Sequence, residues 1–127
     1  MDPICLVVAG VVRATIPESS FTLAWEHSVQ KTRWEERYAL DGGELVLAEA
    51  RVQGSGAGME PAPEARLRDG WWTWHPATRL PELRLSRSEF AGDYTLCWRD
   101  RCAGLGSMLG DAERAVVVVR ACTRDPR

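Results

Sequence analysis

The chain has 127 residues, 45% hydrophobic and 27% charged, with a formal net charge of −2. This is the composition of one soluble, globular domain with a real hydrophobic core, numbered 1–127 with an ordered core over 5–122. The 16 basic residues, of which only Lys31 is lysine, are scattered, so there is no basic stripe for a phosphate backbone and nucleic acid is excluded as a partner.

Cys5 to Ala14 is rich in valine and reads as a first, mostly buried strand. The longest apolar run, Ile4 to Val12, falls far short of the ~20 residues that a membrane-spanning helix needs. Met1-Asp2-Pro3 lacks the positive n-region of a signal peptide, and no small-residue cleavage site follows Val12. Pro17 to Ser20 is a turn.

From Phe21 to Val52 the sequence alternates with period two. Phe21, Leu23, Trp25 and His27 share one face of a strand, and Trp34, Glu36, Tyr38 and Leu40 share one face of the next, after a polar bend over Ser28 to Arg33. Gly42-Gly43 is a two-residue hairpin turn, because both positions accept positive φ. It predicts Leu40 opposite Leu45, Tyr38 opposite Leu47, Glu36 opposite Glu49, and Trp34 opposite Arg51. Pairing His27 with Trp34 puts Trp25 opposite Glu36 and Leu23 opposite Tyr38. These registers gather His27, Glu36, Glu49 and Arg51 at one end of a three-stranded sheet, floored by Trp25 and Trp34. Ionisable groups on an apolar face must be paired or used, so the cluster is either a structural network or a binding site.

Gln53 to Gly58 is a glycine-rich loop leaving the third strand. It lacks the Lys-Ser/Thr of a phosphate loop, and Gly54, Gly56 and Gly58 are expected to let a ligand approach the backbone closely. Asp69-Gly70 turns into a short aromatic strand, Trp71-Trp-Thr-Trp74, ended by Pro76. Leu80 to Ser86 and Asp93 to Trp98 read as further strands, Leu105 to Leu109 as one short helical turn, and Ala115 to Cys122 as a fully buried last strand. Short strands punctuated by Gly and Pro predict an all-β fold: a single-domain antiparallel β-sandwich or small β-barrel, with at most that one helical turn.

The 4 cysteines pair readily. A two-residue turn at Arg99-Asp100 sets Cys97 opposite Cys102, at a Cα separation of about 4.5–5.5 Å that a disulfide spans. Cys5 and Cys122 sit in the first and last strands and can join them. Two disulfides imply an oxidising compartment, and the cysteine spacing is poor for zinc.

His27-Ser-Val-x-Lys-Thr-x-Trp-Glu-Glu36, Gly54-Ser-Gly-Ala-Gly58, Asp69-Gly-Trp-Trp72 and Leu96-Cys-Trp-x3-Cys102 resemble a bacterial domain-of-unknown-function family. Its genes lie beside TRAP transporters of the TAXI type, which take up small organic acids. The resemblance runs from Cys5 to Cys122 and is most specific at His-Ser-Val-x-Lys-Thr. It implies a periplasmic or otherwise extracytoplasmic location and a transport-accessory role, and it brings no catalytic residues and no cofactor. The chain departs from the family pattern in lacking an evident signal or anchor.

Three functions follow. The first is an exported accessory or small-ligand-binding module, whose partner is a TRAP transporter component or a small organic anion held by His27, Lys31, Trp34, Glu36, Glu49 and Arg51. The second is a metal-dependent or carboxylate acid/base enzyme using His27, Glu36 and Glu49. The third is a structural subunit without a ligand. Ser28 beside His27 cannot serve as its nucleophile, since consecutive side chains on a strand point to opposite faces, and no Gly-x-Ser-x-Gly elbow is present.

Overall fold

The computed structural model describes residues 2–26, 32–54, 63–86, 93–110 and 116–123. The chain order is β1 (Ile4–Val8), β2 (Val11–Ile16), β3 (Ser20–Glu26), β4 (Arg33–Asp41), β5 (Glu44–Gln53), β6 (Arg66–Arg68) and β7 (Trp71–Trp74). It continues with β8 (Thr78–Leu80), β9 (Leu83–Ser86), β10 (Thr95–Trp98), β11 (Arg101–Gly104), helix α1 (Leu105–Leu109) and β12 (Val116–Ala121). Every strand pairing is antiparallel.

Two sheets form a sandwich. The smaller has 4 strands in the order β2-β1-β12-β9; the larger has 8, in the order β11-β10-β3-β4-β5-β7-β6, with β8 paired to β5 beside them. The architecture is the expected sandwich, not a closed barrel, and α1 is the expected helical turn. Between the sheets the inward faces interleave: Ile4, Leu6, Val117 and Val119 from the small sheet meet Phe21, Leu23, Tyr38, Leu45 and Leu96 from the large one. Alternation puts these residues on one face because successive strand side chains point opposite ways.

Three local expectations change. Cys5 to Ala14 is not one strand but the hairpin β1–β2, which turns at Ala9 (φ 51°) and Gly10 (φ 80°). Alanine in the left-handed region is uncommon, so the turn carries a weak sequence signal. Its second strand leaves Val11 and Val12 59% and 52% exposed. Leu80 to Ser86 is split at Pro81-Glu82, where the chain leaves the large sheet at β8 and enters the small one at β9. The last strand is not buried on both faces: Val117, Val119 and Ala121 point inward and Val116 is exposed, as a two-layer sandwich requires of its outer sheet.

Both disulfides are present as expected. Cys97 and Cys102 face each other across the β10–β11 hairpin, with Cα atoms 4.0 Å apart. Cys5 and Cys122 tie β1 to the end of β12 at a Cα separation of 4.9 Å.

Candidate functional site

The site rests on β3, β4, β5 and β7, and its layout depends on two registers. At the β4–β5 hairpin, Gly42 and Gly43 have φ of 62° and 83°, and the turn pairs Leu40 with Leu45 and Tyr38 with Leu47, as the sequence predicts. The register then shifts. Arg37 lies opposite Glu49, Glu36 opposite Ala50, Glu35 opposite Arg51 and Trp34 opposite Val52, which leaves Ala48 as the extra residue of a β-bulge. Between β3 and β4 the pairs are Trp25 with Trp34, Leu23 with Glu36 and Phe21 with Tyr38, two residues from the expected alignment. A shift of two preserves every face, but the single-residue bulge does not.

The bulge therefore divides the predicted cluster. Trp34 and Glu36 face the interior of the sandwich; Glu49 and Arg51 point out from the opposite face of the same sheet. Glu36 and Glu49 do not face each other, so they cannot form the acid/base pair, nor share a metal ion. Among the described residues, no group of three or more His, Cys, Asp or Glu side chains could hold a metal. His27, Lys31, Gly56 and Gly58 lie outside the described residues. Gly54 is described, and its backbone conformation (φ 138°) and the 2.9 Å between a would-be Cβ and Cγ2 of Thr32 explain the need for glycine there.

On the inner face the aromatic side chains form a continuous platform. Trp25 and Trp34 stack with ring centroids 6.0 Å apart, Tyr94 meets Trp25 edge-on at 6.0 Å, and Trp74 meets Trp34 edge-on at 6.5 Å. Glu36 lies among them, in a row across the strands that runs Leu23, Glu36, Ala50, Trp74. Its Oε1 accepts a hydrogen bond of 2.8 Å from the Tyr38 hydroxyl. Burial raises the Glu36 carboxyl above the usual carboxylate range, against the lowering effect of the Tyr38 hydrogen bond. Burial also pushes Tyr38 and Tyr94 up, and the negative charge of Glu36 pushes in the same direction on both. No cation faces Glu36 among the described residues. Close by, the Thr32 hydroxyl and Trp34 Nε1–H are buried and have no hydrogen-bond partner among the described residues, and an unpaired buried group costs about 1–3 kcal/mol.

On the outer face the side chains are charged and largely paired. Arg51 donates to Glu35 Oε1 from Nε (2.9 Å) and Nη2 (2.7 Å), while Arg33 Nε donates to the other carboxylate oxygen at 2.9 Å. Burial alone would raise the Glu35 carboxyl, but the hydrogen bonds and charges of Arg33 and Arg51 outweigh it and hold the group below its ordinary value. The Arg51 guanidinium also lies 4.1 Å from the centroid of the Trp71 ring, a cation–π contact. His75 Nε2 approaches Glu49 Oε2 at 3.5 Å.

Beside this network, β5, β7 and edge strand β6 border a groove of about 870 Å³ lined by Arg51, Arg66, Arg68, Thr73, Glu49, Glu64 and His75, together with Leu67 and Trp74. Arg66 and Arg68 sit two apart on β6, opposite Thr73 and Trp71, and so project from the same face. Neither forms an ion pair with another described residue. The sequence reading missed Arg66, Arg68, Trp71 and Glu35 because it paired β5 only with β4. The signal lies in the Asp69-Gly70 turn, which makes β6 and β7 a hairpin with Trp71 and Trp74 on opposite faces.

Among the described residues no helix is long and apolar enough to cross a membrane. No curated protein and no solved structure matches the chain. A family model does match, over residues 21–105, a span that runs from the second residue of β3 through β11 and so takes in both faces just described: the chain belongs to the family named "Domain of unknown function (DUF1850)".

Proposed function

We propose that this protein is an exported binding module that holds a small organic anion on the outer face of its large sheet, as an accessory to a TRAP-type solute transporter. The observation that carries the reading is the groove between β5, β7 and β6. Three arginines line it against two glutamates, and Arg66 and Arg68 have no ion-pair partner among the described residues. Guanidinium groups side by side match the two oxygens of a carboxylate, and Thr73 adds a hydroxyl between them. Glu35 and Trp71 hold Arg51 in place, so the wall of the groove is preorganised and little side-chain entropy is lost on binding. Two disulfides support a location outside the cytoplasm. The transporter link rests on the resemblance of the His27 to Glu36 block.

A binding role is favoured over an enzymatic one because the sheet separates Glu36 from Glu49, and Glu49 is engaged by His75. Calorimetric titration with a panel of small mono- and dicarboxylates provides the test. Saturable binding is expected, weakening as salt rises and falling at least about tenfold in the Arg66→Ala/Arg68→Ala variant, since a hydrogen bond to a charged group is worth about 1.5–3 kcal/mol. Absence of binding across the panel, or equal binding by the variant, would overturn the reading.

A further inference from the structure

We propose a second site, on the inner face, in which Glu36 and the rings of Trp25, Trp34, Trp74 and Tyr94 bind an organic ammonium group. The carboxylate stands in an aromatic setting with one hydrogen bond, from Tyr38, and no cationic partner among the described residues. A carboxylate withdrawn from water at that cost is stabilised most by a cation placed beside it. The surrounding groups are the ones that attract such a cation. Indole and phenol faces carry negative charge density, and three indoles with a phenol flank the carboxylate within two strand rows.

In the row across the sheet, the buried Ala50 lies between Glu36 and Trp74, so a ligand meets the carboxylate and the rings from their accessible side. Trp74 stands edge-on to Trp34, at 86°, which makes a corner rather than a flat stack. Trp25, Trp34, Glu36, Trp74 and Tyr94 all stay partly accessible, whereas Leu23 and Tyr38 beneath them are buried. The site therefore opens away from the core. Aromatic rings favour alkylammonium and quaternary ammonium groups over sodium, because the alkyl groups pack against the rings while the charge meets their negative faces. Arg66 and Arg68, on the opposite face of the sheet, belong to the outer groove alone, while Trp74 borders both, so Arg66→Ala/Arg68→Ala is expected to leave this site intact.

The test titrates the intact protein with tetramethylammonium and n-propylammonium chloride, with sodium chloride at matched ionic strength as the control. Indole N–H resonances in a proton–nitrogen correlation spectrum report the site. Saturable shifts at Trp25, Trp34 and Trp74, but not at Trp71 on the other face, are expected with the ammonium salts alone. Glu36→Gln keeps an acceptor for the Tyr38 hydroxyl and removes the charge; it is expected to weaken binding about tenfold or more. Trp74→Leu removes one wall and is expected to weaken it several-fold with Glu36 intact. Shifts that sodium reproduces, no saturable shift in the native protein, or full binding by Glu36→Gln would each overturn the site and leave Glu36 a partner of Tyr38 only.

Discussion

Glu35 and Glu36 are consecutive on β4 and chemically identical, but the sheet puts them in opposite electrostatic conditions. Glu35 points outward into two arginines, three charge-assisted hydrogen bonds satisfy its oxygens, and its carboxyl is held below the usual range. Glu36 points inward among tryptophans, receives one bond from a tyrosine, and its carboxyl is raised. The outer face thus stores its charge in closed pairs and leaves spare cations along β6, whereas Glu36 on the inner face has no cationic partner among the described residues. Each face is therefore suited to a ligand of the opposite sign. The pleat of one strand separates the two environments.

The largest expected break in this contrast comes from Val52→Asp. Val52 is fully buried next to Trp34 in the register, so a carboxylate there has neither water nor a partner, and a loss of about 4 kcal/mol or more in denaturant unfolding is expected. A small effect would mean that the bulge at Ala48 does not set the faces as described. Its sequence neighbour Arg51, on the outer face, should be far more tolerant. With 39% of its side chain exposed, Arg51→Ala removes a partly screened ion pair and a cation–π contact, and urea unfolding should show a loss of about 1–2 kcal/mol.

The smallest and sharpest effect is in the pH dependence. Glu36 has a raised folded value, so its favourable contribution is present below the unfolded value of 4.5 and lost as pH rises through the folded one. Glu36→Gln should therefore stabilise the unliganded protein at pH 7, with the gain vanishing in acid. Glu35 has a depressed folded value, so it stabilises above 4.5 and loses that contribution as pH falls through the lower value. Glu35→Gln should destabilise at pH 7, and its deficit should close only in stronger acid. Urea midpoints of the three proteins across pH 3 to 7 would check this, and changes of the same sign for both variants would dissolve the contrast.

The sandwich itself was readable because its faces follow from alternation, and alternation survives a register error of two. That is why Phe21, Leu23, Trp25, Trp34 and Tyr38 fall on the expected side although β3 and β4 pair two residues away from the predicted alignment. The Gly42-Gly43 turn did better because two residues with positive φ leave no freedom in which partners follow. The bulge defeated the reading of the site. The inward-facing Leu45 and Leu47 are odd-numbered, while the buried Ala50 and Val52 are even-numbered, so the apolar phase changes within β5. The change was visible in the sequence, but Glu49 and Arg51 continue the odd series and were carried inward with it. The pairing of β7 with β5 is long-range, and nothing local to Trp71–Trp74 specifies its neighbour.

Cys5–Cys122 has a consequence for the way the protein comes apart. With its ends at a sequence separation of 117, the bond turns nearly the whole chain into a covalent ring, sealed where Cys122 N–H also donates to the Pro3 carbonyl at 3.1 Å. Closing a loop of that length removes about 5 kcal/mol worth of freedom from the unfolded chain. A single backbone cut in any turn inside the ring would open it without releasing a fragment, so the two pieces would still meet as parts of one molecule. Resistance to nicking is thus built into the circuit of the chain, independently of either face of the large sheet.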